Sequence, residues 1–149
     1  MKKTLFFIII AAVLFSCEKK GVEKLDASYD NGKPAKVSWI DTTAGKSDTL
    51  KKLEYYPNGN KKVEGAFKEN LRDGKWTYWF QDGKIWSEGN FRKGKSDGIF
   101  NVFNEDGTKY MQSCYKNGVP DGCWIFYDKN KKKKEVYFKD NKAVKEVNF

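Results

Sequence analysis

Residues 91–127 read FRKGKSDGIFNVFNEDGTKYMQSCYKNGVPDGCWIFY, and the spacing of their glycines decides the fold. From Asp97-Gly98 to Asp106-Gly107 is a step of nine positions, and from there to Asp121-Gly122 a step of fifteen. Upstream, Asp73-Gly74 and Asp82-Gly83 keep the same beat, and Asn58-Gly59 stands one long step before the first of them. One short and one long step together make the repeating unit, twenty-four positions in all. A unit this short cannot bury a core alone and must stack on its neighbours.

The units align without gaps. Phe67, Phe91 and Tyr115 open them, Trp76, Phe100 and Trp124 follow the Asp-Gly pairs, and Trp79, Phe103 and Tyr127 close the segment before the next turn. Asn-Gly and Asp-Gly supply the positive φ of two-residue hairpin turns. The segments between them, such as Trp76-Thr77-Tyr78-Trp79-Phe80, have the aromatic and β-branched composition of strands. The expected fold is all-β: an antiparallel meander of tandem hairpins forming a curved, elongated sheet, with one tight and one longer turn per unit. Taking Lys116 to Asp121 as the longer loop sets Tyr115 opposite Gly122, Cys114 opposite Cys123 and Ser113 opposite Trp124. The same register sets Gly89 opposite Phe100 and Gly65 opposite Trp76. Each large ring then faces a residue small enough for it to lie across the neighbouring strand.

Alternation divides the side chains between two faces. One carries Phe67, Phe91, Tyr115, Trp76, Phe100, Trp124, Tyr78, Val102 and Phe126, and is the expected core. The other carries Trp79, Phe103 and Tyr127, with Trp86 beside them, among Thr77, Asn101, Glu88 and Asn90. Trp79, Trp86, Phe103 and Tyr127 are the candidate binding residues, anchors for an extended peptide or another protein. The competing reading packs this row against the leading segment around Trp39. Glu64, Glu88 and Gln112 recur at one position and read as a polar ladder. Residues 19–52 follow the beat poorly, although Tyr29, Asn31-Gly32 and Trp39 resemble a degenerate leading unit. At the other end, Asn130-Lys131 replaces Asp-Gly and marks the expected end of the array.

The chain opens with Met1-Lys2-Lys3, then eleven apolar residues from Leu5 to Phe15, then Ser16-Cys17. A basic start, a short apolar run and a small residue make a secretory signal. The run is shorter than the roughly 20 residues of a membrane-spanning helix. Leu14-Phe15-Ser16-Cys17 resembles the bacterial lipobox, in which the leader is cut before the cysteine and that cysteine is acylated. The alternative is ordinary secretion with an incidental cysteine. The lipobox reading divides the chain into a leader at 1–16, a tether at 17–28 and one repeat domain at 29–149, with clear repeats at 53–140. It makes Cys17 a lipid anchor to the membrane and places the protein in the bacterial cell envelope, at the outer membrane, with no leaflet specified. The formal charge of +9 falls by two when the leader's lysines are removed. The aromatic share of 16% points to a core of rings rather than aliphatic bulk.

The chemistry absent from the sequence is informative. Without histidine there is no Ser-His-Asp or Cys-His pair and no histidine metal site. No nucleophile elbow, phosphate loop or dinucleotide fingerprint occurs, and the turn-forming role accounts for the repeating aspartates. No catalytic residue, metal or cofactor is expected. Cys114 and Cys123, directly opposite in the expected register, are a disulfide candidate, with two reduced thiols as the alternative. The run Lys131, Lys132, Lys133, Lys134 reads either as a solvated guard on an open sheet or as a patch for an anionic envelope surface. Export argues against nucleic acid as a partner.

The segments Phe91-x-x-Gly94-x-x-x-Gly98-x-Phe100 and Tyr115-x-x-Gly118-x-x-x-Gly122-x-Trp124 resemble the MORN repeat. With Trp79-Phe80-Gln81-Asp82-Gly83 and Tyr55-Tyr56-Pro57-Asn58-Gly59, the chain is most similar to the bacterial MORN variant over residues 53–140. The resemblance implies a curved array of hairpins acting in protein interaction near membranes. It also implies a kinship with antitoxin-like proteins, which offers a second function: an immunity protein that neutralises a toxin by direct contact. The expected partner is an unknown protein.

Overall fold

The computed structural model describes residues 21–45 and 47–149. The expected leader and Cys17 lie outside the described residues. Twelve strands follow in chain order: β1 (Val22–Ser28), β2 (Pro34–Asp41), β3 (Asp48–Tyr55), β4 (Lys61–Lys68), β5 (Leu71–Trp79), β6 (Ile85–Arg92), β7 (Lys95–Phe103), β8 (Lys109–Lys116), β9 (Val119–Pro120), β10 (Gly122–Asp128), β11 (Lys131–Lys139) and β12 (Lys142–Asn148). They form one antiparallel sheet in chain order, except that the two-residue β9 pairs only with β8. Consecutive strands are neighbours, so every connection is local and the sheet stays open. At about 4.8 Å per strand, the ten steps from β1 to β12 span about 48 Å.

The two kinds of turn divide the glycine signals differently from the sequence reading. At Asn31-Gly32, Asn58-Gly59, Asp82-Gly83 and Asp106-Gly107 the chain makes three-residue turns closed by a left-handed glycine. The Gly83 N–H donates to the Phe80 carbonyl at 3.0 Å, and the Asp82 carboxylate accepts from the Lys84 N–H at 3.0 Å. Asn31-Gly32 shares this geometry, so the degenerate leading unit is a true member of the array.

The supposed longer loops are tight two-residue turns at Glu69-Asn70, Lys93-Gly94 and Asn117-Gly118. Both residues of each have positive φ, including the non-glycines Glu69 at 54° and Asn70 at 59°. Asp73-Gly74, Asp97-Gly98 and Asp121-Gly122 are therefore not turns. They fall in bulges where three residues stand against one: Asp73 to Lys75 against Ala66, and Asp97 to Ile99 against Asn90. The positive φ that Asp-Gly supplies is used to bend a strand. The aspartates then reach sideways: Asp73 accepts from the Lys93 N–H at 3.2 Å and Asp97 from the Asn117 N–H at 3.4 Å, each joining one unit to the next.

The expected register holds beyond the bulges. Gly65 faces Trp76 and Gly89 faces Phe100, and the next ladder pairs Ile125 with Gln112. Trp76 lies flat across Gly65 and is 1% exposed; a Cβ on Gly65 would stand 2.6 Å from the indole Cγ. The bulge also frees a carbonyl for the ring. The Trp76 indole N–H donates to Ala66 at 3.0 Å and that of Trp124 to Cys114 at 2.9 Å. The rings then form a continuous stripe: Phe67, Trp76, Phe91, Phe100, Tyr115, Trp124 and Phe138, with successive centroids 4.9–6.0 Å apart. This stripe is the aromatic part of the core, in which ring contacts do what a second layer does elsewhere, while Val37 and Leu53 are buried on the other face.

The ends of the array differ from expectation. Residues 22–28, expected as tether, form the edge strand β1, exposed along its whole length. The array does not stop at Asn130-Lys131. Lys129-Asn130 is another two-residue turn, and β11 and β12 extend the sheet.

Candidate binding surface

The face opposite the stripe carries a ladder, one residue per strand. Val37, Leu53, Glu64, Thr77, Glu88, Asn101, Gln112, Ile125, Glu135 and Val147 pair in succession from β2 to β12. Glu64, Glu88 and Gln112 thus stand in one row, with Glu135 further along it between Ile125 and Val147. Each glutamate is neutralised on the spot. Glu64 meets Lys51 at 2.5 Å and Lys61 at 2.7 Å, Glu88 meets Lys75 at 2.7 Å, and Glu135 meets Lys132 at 2.7 Å. Burial works to raise the Glu64 carboxyl, but its two lysines outweigh it and hold it below the usual range. Hydrogen bonds from Lys132 and Tyr137 hold Glu135 low, and the bond to Glu135 pushes the Tyr137 phenol up to about 12. Glu64 and Glu135 are thus held charged and engaged. Among the described residues, no group of three or more acidic or thiol side chains is placed to hold a metal ion.

Two shallow depressions of about 320 and 420 Å³ lie along this ladder and share Lys75. Gly65 and Gly89, opposite the large rings, and Ala66, opposite the bulge, contribute to their lining.

A second row runs beside the ladder. Tyr55 pairs with Lys61, Trp79 with Ile85, Phe103 with Lys109 and Tyr127 with Lys132. Trp79, Phe103 and Tyr127 therefore share a row. Tyr55 joins it, and although the candidates above omit this residue, it stands one full repeat before Trp79. The Lys61 ammonium stands over the Trp79 ring at 5.5 Å and that of Lys109 over Tyr127 at 5.6 Å. All four rings are half-buried. Trp39 does not cover them: it lies in β2, three strands from Trp79, beneath Lys51 at 5.3 Å.

Trp86 does not belong to this row. Tyr78 pairs with Ser87 and Trp79 with Ile85, so Trp86 is an unpaired bulge residue and alternation breaks at that point. It turns to the stripe face, edge-on to Tyr78 at 6.2 Å and tilted against Phe80 at 6.3 Å.

Cys114 and Cys123 stand as free thiols. Cys114 faces a three-residue bulge, Asp121 to Cys123, instead of Cys123 alone, and its carbonyl accepts from the Asp121 N–H at 3.0 Å. Burial, then the neighbouring Cys123, pushes the Cys114 thiol up. In the basic run, Lys132 is committed to Glu135 and Lys134 to Glu146, leaving Lys131 and Lys133 the most outward. The run lies on β11, one strand in from the edge.

A family model described as MORN repeat variant matches residues 50–69, 72–93 and 120–140. These segments cover the β3–β4, β5–β6 and β10–β11 hairpins; the β7–β8 hairpin between them has the same register and bulge. No curated protein matches the chain. Among solved structures, the crystal structure of TarM aligns with 87% of this chain at 16% identity and a TM-score of 0.32. This chain spans 21% of TarM's length, and at that score the likeness bears on neither fold nor function.

Proposed function

We propose that this protein is a non-catalytic repeat scaffold that binds a protein partner through the row Tyr55, Trp79, Phe103 and Tyr127, while acylated Cys17 holds it at the bacterial envelope membrane. The row itself carries the binding half of this reading. Four half-exposed rings with lysine or isoleucine between them line one side of a single-layer sheet. The match to a repeat family whose members serve as scaffolds supports the same half. Leu14-Phe15-Ser16-Cys17 supports the anchor.

Pull-downs from envelope extracts test the first half. A discrete partner should be retained by the wild type and lost with Trp79→Ala and Phe103→Ala; no partner, or one that ignores both changes, contradicts it. A toxin as the retained species would make the scaffold an immunity protein. Mass spectrometry of the mature N-terminus tests the anchor: an acylated Cys17 is expected, and an unmodified one overturns it.

A further inference from the structure

The ring row has a period, and a period selects the conformation of what lies on it. Tyr55, Trp79 and Phe103 close β3, β5 and β7 and Tyr127 is the last residue but one of β10, every second strand of the sheet. Two strand spacings are about 9.6 Å. A polyproline II helix turns once in three residues at 3.1 Å each, so the same side returns every ~9.3 Å. Over the three intervals from Tyr55 to Tyr127 the mismatch reaches only about 0.9 Å. An extended strand returns a side chain every ~6.7 Å and is about 3 Å out of step at the second ring. An α-helix contacting through i and i+7 repeats every ~10.5 Å and drifts by nearly 3 Å over the row.

The residues between the rings set the chemistry. Ile85, 37% exposed, lies between Trp79 and Phe103 and makes an apolar centre. Lys61 and Lys109 bound that centre; Lys61 bonds Glu64, but Lys51 holds the same carboxylate, so the trio keeps one net positive charge there. Lys109, poised over Tyr127, has no carboxylate within ion-pair distance among the described residues. Lys61 on β4 and Lys109 on β8 are four strands apart, about 19 Å. Six polyproline II residues span about 18.6 Å.

We infer that the ring row receives a proline-rich segment in the polyproline II conformation, with carboxylates six residues apart that meet Lys61 and Lys109. This rests on the reading of the row as the partner surface. Proline suits the site because its ring stacks on aromatic faces and its backbone loses little freedom on docking.

The test titrates the full-length protein in detergent with three peptides, following tryptophan fluorescence: Glu-Pro-Pro-Pro-Pro-Pro-Glu, the same with lysine at both ends, and Glu-Gly-Ser-Gly-Ser-Gly-Glu. The first should bind, and the other two should be weaker by at least about tenfold. Phe103→Ala should weaken the first peptide by at least about tenfold, and Trp86→Ala, on the other face, should not. Should Phe103→Ala fail to fold, Ile85→Glu puts a carboxylate into the half-exposed centre and should repel the acidic peptide. Equal binding of the glycine-serine peptide overturns the polyproline conformation, equal binding of the lysine peptide overturns the charge pairing, and no binding by the first overturns the inference. A partner still retained by the wild type and lost with Trp79→Ala would then leave the scaffold reading standing; loss of both results removes both.

Discussion

Replacing Gly65 by alanine puts a methyl group where the Trp76 indole lies, 2.6 Å from its Cγ. Gly65 does not have a positive φ, so the backbone accepts alanine. By the backbone term alone the change would stabilise the protein by about 0.4–1 kcal/mol, through a less free unfolded chain. Packing reverses the sign. Forcing a methyl into a filled site costs about 1–3 kcal/mol. If the indole lifts instead, it weakens its edge contacts with Phe67 at 5.2 Å and Phe91 at 6.0 Å and its bond to the Ala66 carbonyl at 3.0 Å. Those are worth about 0.5–1.5 kcal/mol each. The expected net loss is about 2 kcal/mol, read as a fall of about 0.7–2 M in the urea midpoint. In a Trp76→Leu background the same substitution should cost less than about 1 kcal/mol, because the flat ring it collides with is gone. A loss below about 1 kcal/mol in the wild type, or equal losses in both backgrounds, would refute the ring-over-glycine account of the core.

Other outcomes follow from the same geometry. The Tyr137 phenol should titrate near 12 by absorbance, and Glu135→Gln should bring it back toward 10, because the acceptor that holds its proton is then uncharged. Since that pKa is raised on folding, its contribution is complete below about pH 10 and is lost as pH rises toward 12. Glu135 and Glu64 have lowered values, so their contribution is present above about pH 4.3 and fades as pH falls through their folded values, seen as an acid-side drop in melting temperature. Trp86→Ala should cost about 1–2 kcal/mol of stability, from two ring contacts at 48% exposure, and leave partner binding unchanged. Alkylation of the purified protein without reductant should label both Cys114 and Cys123; a bridge that resists labelling would contradict the free-thiol arrangement.

The sequence exposed the architecture because its strongest signals are pairwise. A glycine opposite a tryptophan is a statement about two strands at once, and Gly65–Trp76 and Gly89–Phe100 gave the register directly. The ring row was legible for the same reason, since one full repeat returns a side chain to the same face two strands on. Bulges broke the reading. Asp-Gly supplies positive φ to a turn and to a bulge alike, so Asp73-Gly74 could not be told from Asp82-Gly83 by residue type. The one-residue bulge at Trp86 shifts the alternation and put that ring on the wrong face, while the three-residue bulge, which keeps the alternation, absorbs Asp121 to Cys123 where a simple ladder would set Cys114 opposite Cys123 alone. The outer strands were least legible. β1 and β2 lack the aromatic beat because the stripe begins at β4, and Trp39, the ring in β2, stands off the repeat position.

The central claim is that the partner is bound by the row at Trp79 and not by the aromatic stripe. Ile85 and Trp86 are adjacent in sequence, both partly exposed at 37% and 48%, and on opposite faces of the sheet. A photo-cross-linking residue placed at each position in producing cells compares the two faces at one point in the chain. A discrete adduct from position 85 that disappears with Phe103→Ala, and none from position 86, is the predicted result. An adduct from position 86 alone, or equal adducts from both, would contradict the account.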